Sequence, residues 1–104
     1  MVTQEDLTQF CDALTAVTNQ RFADSGDNVN RVRFYPDTGG KKYTRIVRSS
    51  IVDGHELAHG RSAHCFVKLG DGSLWKPAGW KGPAKNFPRG SVFVEPATEY
   101  VDSL

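Results

Sequence analysis

Residues 4–23 form the one stretch of this sequence whose apolar positions recur at helical spacing. Leu7, Phe10, Cys11, Leu14, Val17 and Phe22 fall on a single face, with polar residues between them. Thr3 stands where an N-cap belongs, and Asp6, three residues on, takes the capping-box position. Glu5, Asp6 and Asp12 lie toward the helix start and Arg21 near its end, which suits the helix dipole; Asp24-Ser25-Gly26 stops it. A lone amphipathic helix is not stable in water, so this one needs a surface to cover.

The remaining chain supplies that surface as short strands. Arg31–Tyr35 alternates, with Val32 and Phe34 on one face and Arg31, Arg33 and Tyr35 on the other. Pro36-Asp37-Thr38-Gly39-Gly40 has turn chemistry, and a second strand over 42–48 completes a hairpin. Residues 63–69 read as a third strand, with Ala63, Cys65, Val67 and Leu69 facing inward. Gly70-Asp71-Gly72 turns into a strand over 73–76, and 91–94 reads as the last. Two Pro and two Gly in 76–85 exclude regular structure there, but Trp75, Trp80 and Phe87 favour an ordered loop folded back on the sheet. The expected fold is α+β, a single domain over 1–104. One N-terminal helix (1–24) packs on a small antiparallel sheet of four to five strands (31–95), followed by an acidic tail (96–104).

Net charge is +1, but the charges are segregated. Residues 1–30 hold five acids and one arginine; residues 31–89 hold twelve Lys and Arg against four acids; residues 90–104 hold three acids and no Lys or Arg. A basic middle between acidic ends bears on the choice of partner more than on fold. No apolar run approaches the ~20 residues that span a bilayer, so no membrane is expected. The acidic N-terminus lacks an apolar leader core. Two cysteines outside any C-x-x-C pair, Cys11 and Cys65, read as buried free thiols in a reducing setting.

Two patterns carry chemistry. His55-Glu56-Leu57-Ala58-His59 matches H-E-x-x-H, which on a helix puts two zinc-ligating imidazoles on one face with the Glu as general base. His64 is the third candidate ligand. The surroundings oppose a helix: Asp53-Gly54 precedes the motif and Gly60 follows it, leaving under two turns, so a polar loop is expected. The metzincin pattern would need its third His where Cys65 stands. The second pattern interleaves cations with Tyr35, Tyr43, Phe66, Trp75 and Trp80, the combination single-strand binders use to neutralise phosphates and stack bases. A phosphate loop at Gly39-Gly40-Lys41 lacks its frame, no G-x-S-x-G elbow supports a serine nucleophile, and neighbours His64 and Cys65 point to opposite faces of a strand.

Gly40–Val47, Gly60–Val67, Gly72–Lys85 and Arg89–Phe93 together resemble a group of small proteins of tailed bacteriophages. That group carries a strand, G-D, strand, K-P/A-A-x-W-x-x-P-A-K, R-G signature. The resemblance spans roughly residues 39–93 and implies a source class without a mechanism. It also places the H-E-x-x-H stretch between two strands. The expected function is therefore a non-enzymatic binding module of a phage. It acts in the host cell cytoplasm, with association with the virion as the alternative, on nucleic acid or on a host or phage protein. Trp80, Lys81 and Lys85 form its contact, with Lys76, Arg45 and Arg89 as supporting charges. The rival is a small zinc hydrolase using Glu56 with His55, His59 and His64.

Overall fold

The computed structural model describes residues 1–85, 88 and 90–93. Helix α1 spans Gln4–Asp24, and five strands follow: β1 Asn30–Asp37, β2 Tyr43–Val52, β3 His55–Lys68, β4 Ser73–Trp75 and β5 Gly90–Ser91. They form one antiparallel meander in chain order, with the helix on one face, the expected α+β layering. Among the described residues no helix is long and apolar enough to cross a membrane.

The helix begins as its sequence dictates. Thr3 Oγ1 accepts from the Asp6 amide at 3.1 Å, and Asp6 Oδ2 accepts from the Thr3 amide at 2.9 Å. Chiefly through the Thr3 amide, the Asp6 carboxyl is held below its usual range. Leu7, Phe10, Cys11 and Leu14 are buried against Val32, Phe34, Ile46, Cys65, Val67 and Leu74. The polar face also works. Thr15 Oγ1 accepts from the Phe34 amide at 3.0 Å; Asn19 accepts from the Val32 amide at 2.9 Å and donates to its carbonyl at 3.0 Å. Those backbone groups lie on the edge of β1 that no strand covers, and exposed strand edges invite unwanted pairing.

Strand β1 runs two residues beyond the alternation that announced it, through Pro36 and Asp37. Pro36 shares the parity of Val32 and Phe34, so its missing N–H faces the outer edge and costs no bond to β2. The last strand is shorter than the expected 91–94: β5 is Gly90–Ser91, Val92 and Phe93 turn, and Val94 lies outside the described residues. The same is true of the acidic tail, Phe87 and Arg89.

The largest correction concerns β3. His55–Gly60 is the beginning of this 14-residue strand and not a connecting loop. Asp53 and Gly54, at φ 52° and 80°, make a two-residue turn of the kind that matches strand twist. The pairs Val52–His55 and Ile51–Glu56 follow at once. Pairing then jumps to Ser49–Arg61, leaving residues 57–60 bulged. Gly60 lets the bulge close, since a Cβ there would fall 2.9 Å from the Leu57 Cβ. A second, one-residue irregularity at His64 shifts the register between Ile46–Cys65 and Val47–Ala63. Ala63 therefore leaves the inward row expected for it, and Cys65 and Val67 keep it. His64 packs edge-on against Phe34 instead, with ring centroids 4.9 Å apart. Bulges bend and twist a strand, and these two curl the sheet.

Both cysteines are buried, free thiols. Burial pushes Cys11 up to about 12 and raises Cys65 as well.

Candidate functional site

The helix covers the Val32–Phe34 face, so its acids lie behind the sheet and the opposite face is free of it. On that opposite face, cross-strand rows are set by register: Asp37–Arg45–Phe66–Trp75, Tyr35–Val47–Ala63 and Arg33–Ser49–Arg61. Val47, Ser49 and Phe66 are buried there.

Arg45 organises the first row. The segment after β4 folds as a tight excursion: Pro77 bridges Pro83, the Ala84 amide donates to the Lys76 carbonyl at 2.8 Å, and the Ala78 amide to the Gly82 carbonyl at 3.0 Å. Trp80 sits at its tip, 42% exposed. Arg45 Nε donates to the Trp80 carbonyl at 2.6 Å, and its guanidinium carbon lies 4.3 Å from the indole centroid. Its Nη1 pairs with Asp37 Oδ2. The loop is thus ordered against the sheet, as its aromatic content suggested, and one guanidinium holds it there.

Beside Arg45 opens a cleft of about 430 Å³. The β1–β2 turn supplies Lys41 and Lys42, β2 supplies Tyr43, and the Trp80 loop supplies Lys81 and Pro83. At the other end of the face, Arg33, Tyr35, Ser49, Glu56, Leu57, Ala58 and Arg61 line a pocket of about 300 Å³. Arg33 lies 4.3 Å over the Tyr35 ring, and its Nε donates to Glu56 at 2.9 Å. The Tyr35 hydroxyl raises the pKa of Arg61. Between these two ends, Ala58, His59, Arg61 and Trp80 line a third hollow of about 250 Å³. Arg61 and Ala58 are shared with one neighbour, and Trp80 abuts the other through Arg45. The hollows make an interrupted groove along β2 from Tyr43 to Ser49, about 20 Å at ~3.3 Å per residue, with the Arg45–Trp80 contact between the first hollow and the other two.

Of the residues singled out from sequence, Trp80, Lys81 and Arg45 are brought together. Lys76 starts the loop and Lys85 follows it, both exposed, and Arg89 lies outside the described residues. The H-E-x-x-H residues do not make the face that pattern needs, because they lie in a strand. Glu56 is occupied by Arg33, which holds its carboxyl below the usual range. His64 is separated from the pair by the second bulge and packs on Phe34. Among the described residues no three His, Cys, Asp or Glu side chains gather as a metal-holding group. Arg61 and Asp37 were not legible as site residues. Arg61 follows a bulge that breaks the alternation, and Asp37 sits inside what reads as a turn.

Residues 2–102 match the model of DUF7717, described as a family of unknown function. The chain belongs to that family. No curated protein and no solved structure matches this DUF7717 member.

Proposed function

We propose that this DUF7717 protein is a non-enzymatic binding module that holds single-stranded nucleic acid in the groove opposite its helix. The reading rests on one observation: six cations and three aromatic rings line or rim that groove. The cations are Arg33, Lys41, Lys42, Arg45, Arg61 and Lys81; the rings are Tyr35, Tyr43 and Trp80. Cations along a path neutralise successive phosphates, and exposed rings stack bases regardless of sequence. The acidic helix sits on the far side, so among the described residues of the groove only Glu56 and Asp37, paired with Arg33 and Arg45, offset that charge. The resemblance of residues 39–93 to tailed-phage proteins supports action in the cytoplasm of an infected bacterium.

Anisotropy of a labelled single-stranded oligonucleotide, titrated at several salt concentrations, tests this. Three to five held phosphates give a log–log salt slope of about −2 to −3.5. Absent binding, or binding indifferent to salt, overturns the reading. A second reading follows from Trp80, a half-exposed tryptophan braced by an arginine, both residue types enriched among the hot spots of protein interfaces. On that reading the groove takes an acidic protein of host or phage. Capture from host lysate that survives nuclease, combined with no oligonucleotide binding, selects it.

A further inference from the structure

We infer that the cleft beside Arg45 is a base pocket that reads an exocyclic amino group, and so prefers cytosine to thymine. The inference rests on the single-strand reading above and adds a specificity to it.

The cleft is large enough. Its volume of about 430 Å³ lies in the range of small-ligand pockets, which run from about 300 Å³ upward. Its apolar lining suits a flat ring. Phe66 is only 3% exposed and lies under Arg45, and Pro83 closes the loop side. The Tyr43 ring is held edge-on by Trp75, with centroids 6.4 Å apart at 88°. Lys41, Lys42 and Lys81 line it as well, where a phosphate attached to the base is neutralised.

Asp37 is the one acid among its lining residues. A carboxylate there repels phosphate, so a pocket for phosphate alone is better without it. Its Oδ2 is taken by Arg45. Its Oδ1 receives no hydrogen bond from the described residues, and Gly39 lies beside it. A Cβ on Gly39 would lie 3.9 Å from that oxygen. An ionised carboxylate only accepts hydrogen bonds. It therefore welcomes the N4 amino group of cytosine and opposes the O4 carbonyl that thymine carries at the same place. The two bases share ring size, so stacking on Tyr43 separates them little, and the hydrogen bond at position 4 does.

The test compares oligo-dC and oligo-dT of equal length on the full chain, at slightly alkaline pH so that cytosine stays neutral. The unmodified protein is expected to bind oligo-dC about tenfold more tightly, the scale of one hydrogen bond to a charged group. Asp37→Asn is expected to bring the two within about twofold, because an amide both donates and accepts. Lys42→Gln is expected to weaken both oligonucleotides and flatten the salt slope, with the preference kept. Circular dichroism confirms that each variant folds, and the wild-type ratio needs no variant. Equal, salt-dependent binding of both oligonucleotides overturns the base pocket and leaves the single-strand reading standing. A preference that persists unchanged in folded Asp37→Asn overturns Asp37 as the reader. Binding of neither overturns both proposals.

Discussion

Replacing Arg45 by methionine removes one guanidinium and keeps most of the stem's packing volume. Three interactions go with it. The charge-assisted hydrogen bond to the Trp80 carbonyl is worth about 1.5 kcal/mol. The stack on the indole, at 4.3 Å, is worth roughly 0.5–1 kcal/mol. The pair with Asp37, whose side chain is 42% exposed, adds about 0.5 kcal/mol at most. Neighbouring terms are not additive, so the expected loss is about 2 kcal/mol. For a domain of this size that lowers Tm by about 10 °C. The released loop also frees Trp80, so iodide quenching of tryptophan fluorescence should rise before any global unfolding. A double-mutant cycle of Arg45→Met with Trp80→Ala isolates the ring contact, because the carbonyl bond survives loss of the indole. Its coupling should be about 0.5–1 kcal/mol. An Arg45→Met protein melting within about 2 °C of wild type, with unchanged quenching, would refute the claim that this residue pins the loop.

Asn19→Ala leaves the amide and carbonyl of Val32 without partners at the β1 edge, and should destabilise by about 2 kcal/mol in urea unfolding, more than Thr15→Val; the reverse order contradicts the edge account. Asp27 accepts from the Asn30 amide and side chain and from the Val29 amide, and its carboxyl is held down to about 2. A depressed folded value means that its contribution is complete above the unfolded pKa near 4 and is lost as pH falls toward 2. Wild type should therefore exceed Asp27→Asn in stability at pH 7, with the gap closing below about pH 3; a gap independent of pH counts against it. Purified without a metal-binding tag, the protein should bring down well under one zinc per chain by elemental analysis, since β3 holds His55 and His59 in a strand; a stoichiometric ion would contradict that geometry.

The helix was readable because its signals are local. Thr3 and Asp6 are three residues apart, and Leu7, Phe10, Cys11 and Leu14 repeat within two turns. Val32, Phe34, Cys65 and Val67 were likewise readable from alternation. What alternation cannot show is a bulge. Three extra residues at 57–60 and one at His64 change the parity of β3, which is why Ala63 was misplaced and the H-E-x-x-H stretch looked like a loop. The site was half legible. Trp80 and Lys81 stood out as an unusual composition, but the contact that orders them joins Arg45 to a carbonyl 35 residues away, and no pattern in the sequence spans that distance. Asp37 was hidden because Pro36-Asp37 reads as a turn until β2 is there to pair with it.

The seal on the β1 edge has a consequence for assembly. Thr15 and Asn19, one helical turn apart, take up the outward amides and carbonyl that an added strand would need. A peptide that pairs with the main chain at Val32 and Phe34, or a second copy that extends the sheet there, must first displace the Thr15 and Asn19 side chains. High local concentration therefore meets a barrier at Val32 and Phe34 on the route from β1 to continuous sheet. Contact made along that flank falls to side chains, and can be retuned one residue at a time without disturbing the ladder beneath.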